Sequence, residues 1–236
     1  WKHDESVIGV LLNFNSGGGQ ASGNSEFAEY VNEYKEVKPV VTFTKDVIGS
    51  AAYYMGSASS AIIAHPKSDF IGCIGSMFYQ VNLEGILEKE GATINELYAD
   101  GSPDKNKQSR ALKEGNPRPL IEKILNPSAE EFKADVKRYR PQVTELALKG
   151  DIFSPTEALE QGLVDELGTL QTAIDKVFSL AQSNKGNSNN SNNANSKRTT
   201  MSNTKLPLIE GVLGQKFEED ETKDGIILTD DQAAKI

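Results

Sequence analysis

A glycine-rich segment and a serine at the start of a predicted helix are the two places in this sequence that could perform acyl-transfer chemistry. Residues 15–19 read NSGGG and follow a predicted strand. Consecutive glycines can turn backbone N–H groups toward a ligand, and the start of the helix that follows favours negative charge. Three interpretations stay open: an oxyanion hole, a phosphate loop that lacks the usual Gly-Lys-Ser/Thr ending, or an ordinary tight turn.

Ser50 follows Gly49 at a predicted strand-to-helix junction, and small residues come directly after it. A serine in such a place is most simply a helix N-cap. The Gly-x-Ser-x-Gly elbow is not matched, because Ala52 occupies the position of its last glycine. The glycine-rich turn one strand–helix unit earlier, and the small side chains that leave room for a substrate backbone, favour a nucleophile instead.

A serine nucleophile needs a base that removes its proton. The two histidines of the sequence are poor candidates, since His3 lies at the extreme end and His65 precedes a proline at a strand end. A lysine is the economical alternative, and residues 100–107 (DGSPDKNK) contain Lys105 and Lys107. The ordinary interpretation of this loop is a solvated basic surface. A lysine acting as a base at neutral pH must lose about three pKa units, which burial away from carboxylates can supply.

Strands and helices alternate around these residues. The predicted strands are 7–14, 40–44, 61–64, 70–74 and 93–98. The predicted helices are 22–37, 50–59 and 83–90, followed by a long helical region at 118–148 and a helix–strand–helix unit at 154–181. This alternation predicts an α/β fold with a largely parallel sheet flanked by helices.

Composition divides the 236 residues into three parts. Residues 1–182 are predicted to form the folded domain. Residues 183–200 are rich in Asn and Ser and are predicted to be a disordered linker. Residues 201–236 begin with Met201 and contain four Lys against eight Asp and Glu, so they form an acidic tail. Because the chain begins at Trp1, directly before a predicted core strand, we expect that upstream sequence is missing from its N-terminus.

The net charge of −9 argues against nucleic acid as a partner, since phosphate binding needs an excess of Lys and Arg. A single cysteine, Cys73, excludes an internal disulfide. No apolar run approaches the roughly 18 residues of a membrane-spanning helix.

Four segments in this order resemble the signal-peptide-peptidase A (SppA) family of the Clp-protease/crotonase superfamily, over about residues 5–182. They are GGG at 17–19, GSAAYY at 49–54, FIGCIGS at 70–76 and ALEQGLVDELG at 158–168. The resemblance implies a Clp-protease/crotonase-like fold and a serine peptidase with Ser50 as the nucleophile. It also implies an oxyanion hole formed by the backbone of Gly17, Gly18 and Gly19.

The same resemblance places the base on a lysine shortly after a glycine. Asp104 occupies the position where the simplest alignment expects that lysine, so Lys105 is the choice and Lys107 the alternative. Clp proteases, which use Ser-His-Asp, would have a histidine near residues 70–76, where this sequence has none. A Ser-Lys dyad without metal or cofactor is therefore expected, acting on polypeptide substrates in a homo-oligomer.

Two cellular roles follow from the family. The linker and acidic tail are what a phage prohead (capsid maturation) protease fused to a scaffold segment would carry, acting in the host cytoplasm within the prohead; Met201 could even start a separate scaffold product. A bacterial signal peptide peptidase, membrane-associated through a missing N-terminal anchor, is the alternative. An inactive assembly module and a crotonase-like acyl-CoA enzyme are the non-peptidase alternatives. Small residues near Ser50, with Phe78 and Tyr79, suggest a substrate pocket for small or apolar side chains.

Overall fold

The computed structural model describes residues 1–188. In this part of the chain six strands form one sheet: β1 (Val10–Ser16), β2 (Val40–Gly49), β3 (Ala61–Ala64), β4 (Phe70–Gly72), β5 (Ile152–Phe153) and β6 (Glu166–Leu167). The helices are α1 (Asn24–Lys35), α2 (Ala51–Ser57), α3 (Glu84–Lys89), α4 (Lys107–Lys113), α5 (Arg118–Leu120), α6 (Asn126–Tyr139), α7 (Pro155–Glu160) and α8 (Leu170–Ser188).

The sheet is largely parallel, as predicted. Its order is β5-β4-β2-β3-β6, and β1 pairs with β2 on the other side. Every pair is parallel except β4 with β5. The first half of β2 pairs with β3, and its last residues, Val47–Gly49, pair with Phe70–Gly72 of β4. β2 is therefore longer than the predicted 40–44, and it carries the chain to Ser50 without a break.

Alternating side chains of β2 and its neighbours enter two separate cores, which is the expected consequence of a period of two residues in a strand. Val41 and Phe43 pack with Ala173 and Val177 of α8 on one face. The larger cluster on the other face combines Ile62 and further strand residues with the apolar sides of α1, α2 and α6.

The predicted strand at 93–98 is wrong. The described structure has no strand there, and Leu97 is 93% exposed. The edge of β4 that such a strand could extend is already paired with β5, through Ile71 opposite Phe153. Because β4 also pairs with β2, neither edge of this strand is free to pair with residues 93–98.

The predicted helical region at 118–148 is interrupted at both ends. A π-helical turn, Ile121–Leu125, precedes α6, which has a proline in its first turn. At the other end α6 stops at Tyr139, because Arg140 precedes Pro141 and has φ −135° and ψ 75°. A residue before proline is driven away from helical backbone angles.

The last helix reaches further than predicted. α8 continues to Ser188, beyond residue 182, where the linker was predicted to begin. The rest of the predicted linker and the acidic tail at 201–236 lie outside the described residues. No helix within residues 1–188 has both the length and the apolar character needed to cross a membrane.

Candidate active site

Ser50 occupies a sharp turn between β2 and α2. Its backbone angles are φ 49° and ψ −123°, one of three positive φ values at non-glycine residues in the described chain. Such a conformation costs on the order of 1–3 kcal/mol and persists only where the surroundings impose it. The Ser50 N–H donates to the Gly72 carbonyl oxygen at 2.8 Å. The Ser50 side chain makes no capping hydrogen bond, so the simple N-cap interpretation does not describe this residue.

Helix α2 holds Ser50 rigidly because nearly every side of the helix is buried. Tyr53 is fully buried, and its hydroxyl donates to the Leu163 carbonyl oxygen at 2.8 Å. Tyr54 stacks on Phe132 with ring centroids 4.4 Å apart, and its hydroxyl donates to the Asp135 carboxylate. Burial, with the Asp135 hydrogen bond in second place, raises the pKa of Tyr54. The first turn of α2 is thus fixed to the core and to α6.

The glycine-rich turn lies directly against this serine. Gly18 has φ +109°, and a methyl group added to it would lie 2.6 Å from Ser50 Cβ and 2.9 Å from the Ala51 nitrogen. Only glycine fits at this contact. By contrast, a methyl group on Gly19 would meet nothing within 4 Å, so that side of the turn is open.

Backbone N–H groups of this turn are the candidate oxyanion donors. In the described conformation the Gly18 N–H donates to Ser16 Oγ at 3.2 Å, a long bond to a neutral acceptor. The Ala51 nitrogen follows the serine and lies beside Gly18. Sequence reasoning missed Ala51 as a donor, although the residue after a nucleophile commonly supplies one.

Three further residues, Asn15, Asp46 and Phe70, support the turn, and sequence reasoning did not assign them this role. The Asn15 side chain donates from Nδ2 to Asp46 Oδ2 at 3.0 Å, which ties the end of β1 to β2. The ring of Phe70 lies over Gly17 and Gly49. No sequence signal marks these contacts, since they depend on the register of β1 and β4 against β2.

The two candidate lysines lie on an exposed loop before α4 and at its first residue. Lys107 Nζ pairs with Asp104 Oδ1 at 3.0 Å, with the Lys107 side chain 60% exposed. Lys105 is also exposed, and within residues 1–188 it makes no ion pair. The structure therefore brings Gly18 to Ser50 but shows no hydrogen bond from either lysine to the serine.

The remaining candidates have ordinary contacts. His65 Nδ1 accepts a hydrogen bond from the Lys67 backbone N–H at 3.2 Å within a turn. Cys73 is partly exposed, and its N–H donates to the Asp151 carbonyl oxygen at 2.9 Å. In the part of the chain that the structure describes, no three His, Cys, Asp or Glu side chains are grouped so that they could hold a metal ion.

Comparison with known proteins assigns the family. Residues 32–184 match the model of Peptidase family S49, which is more than half of the chain, and the chain belongs to this family. The resemblance predicted from the four sequence segments is confirmed. So is the predicted α/β class with a largely parallel sheet flanked by helices.

Curated relatives come from both cellular and phage sources. A protein of Enterococcus faecium described as a signal peptide peptidase SppA is 30% identical over 75% of this chain and 52% of its own length. The capsid assembly protease C of Escherichia phage lambda is 26% identical over 72% of this chain and 39% of its own length. The chain thus spans about half or less of the length of these relatives.

Among solved structures, the membrane-bound stomatin-specific protease 1510-N resembles this chain at 15% identity with a TM-score of 0.45. The similarity covers 73% of this chain and 70% of that protein.

Proposed function

We propose that this chain is a serine endopeptidase that cleaves polypeptides through an acyl-enzyme, with Ser50 as the nucleophile and Lys105 as its base. The observation that carries the proposal is the Ser50 elbow, a strained serine mounted on a buried helix with Gly18 against its Cβ. Strain of this kind at a non-glycine residue is typical of functional sites. Membership of peptidase family S49 supports the same reaction class.

The proposed reaction begins when Ser50 Oγ attacks the substrate carbonyl carbon and its proton passes to the base. The carbonyl oxygen becomes an oxyanion, for which backbone N–H groups of residues 17–19 and of Ala51 are the proposed donors. A charged acceptor forms a stronger hydrogen bond than a neutral hydroxyl, so the oxyanion would replace Ser16 Oγ at the Gly18 N–H. The tetrahedral intermediate then expels the amine, which takes the proton from the base, and water hydrolyses the ester.

Lys105 is preferred to Lys107 because Asp104 forms its ion pair with Lys107 and not with Lys105. In general a carboxylate partner favours the charged form of a lysine, which cannot accept a proton. Lys105 has no such partner among the described residues. To become neutral, Lys105 must lose its present exposure to water, so the active form requires that its loop be covered.

We propose that a second copy of the chain covers the loop that carries Lys105. Residues 77–97 expose nine large apolar side chains, and clusters of exposed apolar residues are typical of protein–protein contact surfaces. The exposed large side chains are Met77, Phe78, Tyr79, Val81, Leu83, Ile86, Leu87, Ile94 and Leu97. Lys113 of α4 forms ion pairs with Glu84 and Glu96, and Arg110 of α4 lies 4.6 Å from the centre of the Tyr98 ring. These contacts hold residues 77–97, called the arm below, against α4. The exposure of the arm supports the homo-oligomer that the family resemblance implies.

We expect the wild-type chain to form an oligomer and the double variant Ile86→Asp/Leu97→Asp to be monomeric, because each carboxylate would have to be buried in the apolar contact. Molar mass from size-exclusion chromatography with light scattering measures the change. Val37→Asp, at a residue 45% exposed outside the arm, is the matched control and should leave the mass unchanged. A monomeric wild type, or an unaltered mass in the double variant, would contradict self-association through the arm.

For the cellular role we propose a phage prohead maturation protease acting on capsid or scaffold precursors. The similarity to the phage lambda capsid assembly protease C supports this role, as does the acidic tail at 201–236. Similarity to the Enterococcus faecium protein favours signal peptides as the alternative substrates. The exposure of both lysines favours the third candidate, a catalytically inactive assembly module.

Labelling with an alkyl fluorophosphonate tests the reaction class. The expected result is one adduct per chain by intact mass, located on Ser50 by peptide mass spectrometry, and none on chain denatured beforehand. No adduct on a folded wild type would reject the peptidase and favour the inactive assembly module.

A further inference from the structure

The ring of Phe70 occupies the space where Gly49 would carry a side chain and lies beside the corresponding position of Gly17. A methyl group on Gly49 would lie 2.8 Å from Phe70 Cε2, and one on Gly17 would lie 3.8 Å from Phe70 Cζ. The Gly17 carbonyl oxygen is 3.3 Å from that same methyl position on Gly49. The ring therefore excludes a side chain at Gly49, one residue before Ser50, and lies in van der Waals contact with the side-chain position of Gly17, one residue before Gly18.

We propose that Phe70 is a positioning residue that presses the glycine-rich turn against the Ser50 elbow and so sets the geometry of the oxyanion hole. This role rests on the proposed function, because it concerns the same site. Phe70 lies beside Gly17, one of the proposed donor residues, and beside Gly49, the residue before the nucleophile. It acts through Gly17 and Gly49, whose neighbours Gly18 and Ser50 are in contact.

The backbone of Phe70 is itself fixed, so its ring is a stable support. Phe70 starts β4 and pairs in parallel register with Val47, two residues before Gly49. The preceding residue, Asp69, donates its N–H to the Asp46 carbonyl oxygen at 2.7 Å. The Asp46 side chain accepts the Asn15 hydrogen bond, so one residue of β2 anchors both the start of the turn and the start of β4.

Core packing does not account for this ring. Phe70 is only half-buried, and within the described chain it belongs to neither of the two apolar clusters. Leucine in its place would keep apolar character but lacks the atoms that reach Gly17. The turn would then be free to shift away from Ser50. An oxyanion hole must be placed to within a few tenths of an ångström, so such a shift weakens transition-state stabilisation more than substrate binding.

The test is saturation kinetics of fluorophosphonate labelling, which separates the maximal labelling rate from the probe concentration at half-saturation. For Phe70→Leu we expect the maximal rate to fall about tenfold or more, with half-saturation and melting temperature nearly unchanged. Phe70→Met, whose unbranched side chain can reach as far as the ring, should recover most of the rate. Phe43→Leu, a loss of the same ring from the second core, should lower the melting temperature but not the labelling rate.

The outcomes separate this role from the proposed function. Labelling of Phe70→Leu at the wild-type rate would overturn the positioning role while leaving Ser50 as the nucleophile. An equal fall in rate for Phe43→Leu, or a change only in half-saturation, would also overturn it, because general loosening or weaker binding would then explain the result. Failure of the wild type to label would instead reject the peptidase, and the Phe70 role with it.

Discussion

Lys105→Ala is expected to lower the rate of Ser50 acylation by about 100- to 10,000-fold, the usual contribution of a general base. The physical reason is that the Ser50 hydroxyl would then have no neutral amine to receive its proton. Lys107→Ala should stay within about threefold of wild type, because Lys107 is not the proposed base and its exposed ion pair with Asp104 contributes little to stability. Labelling by the fluorophosphonate and hydrolysis of fluorescently tagged casein measure the two variants side by side.

Ser50→Ala provides the baseline for this comparison and should give no adduct and no casein hydrolysis. Because both lysines are directly adjacent to Asn106, where the backbone has φ 58°, each variant must also show the wild-type melting temperature and oligomer mass. A large loss with Lys107→Ala and none with Lys105→Ala would transfer the base to Lys107. Full activity in both variants would contradict a Ser-Lys dyad built from this loop.

Alternation of strands and helices was sufficient to predict the fold class. Short runs such as 61–64 and 40–44 are rich in apolar and β-branched residues, and each has a neighbouring segment with helical periodicity. The parallel sheet therefore follows from the local sequence pattern alone. Residues 93–98 (TINELY) also contain β-branched and apolar side chains, but Asn95 and Glu96 interrupt them, and they form no strand. The two edges of β4 are taken by β2 and by β5, a two-residue strand from the far end of the domain.

The candidate site, like the fold, could be predicted from the sequence only in part. Glycine spacing and the serine at a strand end predicted two segments that the fold brings into contact, Gly18 against Ser50. Phe70 and Asp46 could not be predicted as supports, because their roles arise from the pairing of β4 and β1 with the extended end of β2. The lysine assignment rests on family resemblance, since its loop is exposed and nothing in the described chain fixes it near the serine.

Gly18→Ala is expected to reduce labelling and casein hydrolysis by at least about 100-fold. Its methyl group would lie 2.6 Å from Ser50 Cβ, a distance that real Cβ atoms do not tolerate, and its φ of +109° is unfavourable for alanine. The turn must therefore withdraw from the elbow, which removes donors from the oxyanion at a cost of about 100- to 1,000-fold for each donor lost. Labelling kinetics and the melting temperature measure the two consequences separately.

Gly19→Ala is the matched comparison for Gly18→Ala, because a methyl group at residue 19 meets nothing within 4 Å and the backbone N–H is retained. We expect it to keep the fold and to lose no more than about tenfold in rate. Equal, severe losses at Gly18 and Gly19 would mean that flexibility of the whole turn, rather than its contact with Ser50, limits the reaction. Wild-type kinetics in Gly18→Ala would mean that the turn does not form the oxyanion hole, since a displaced turn could not hold one.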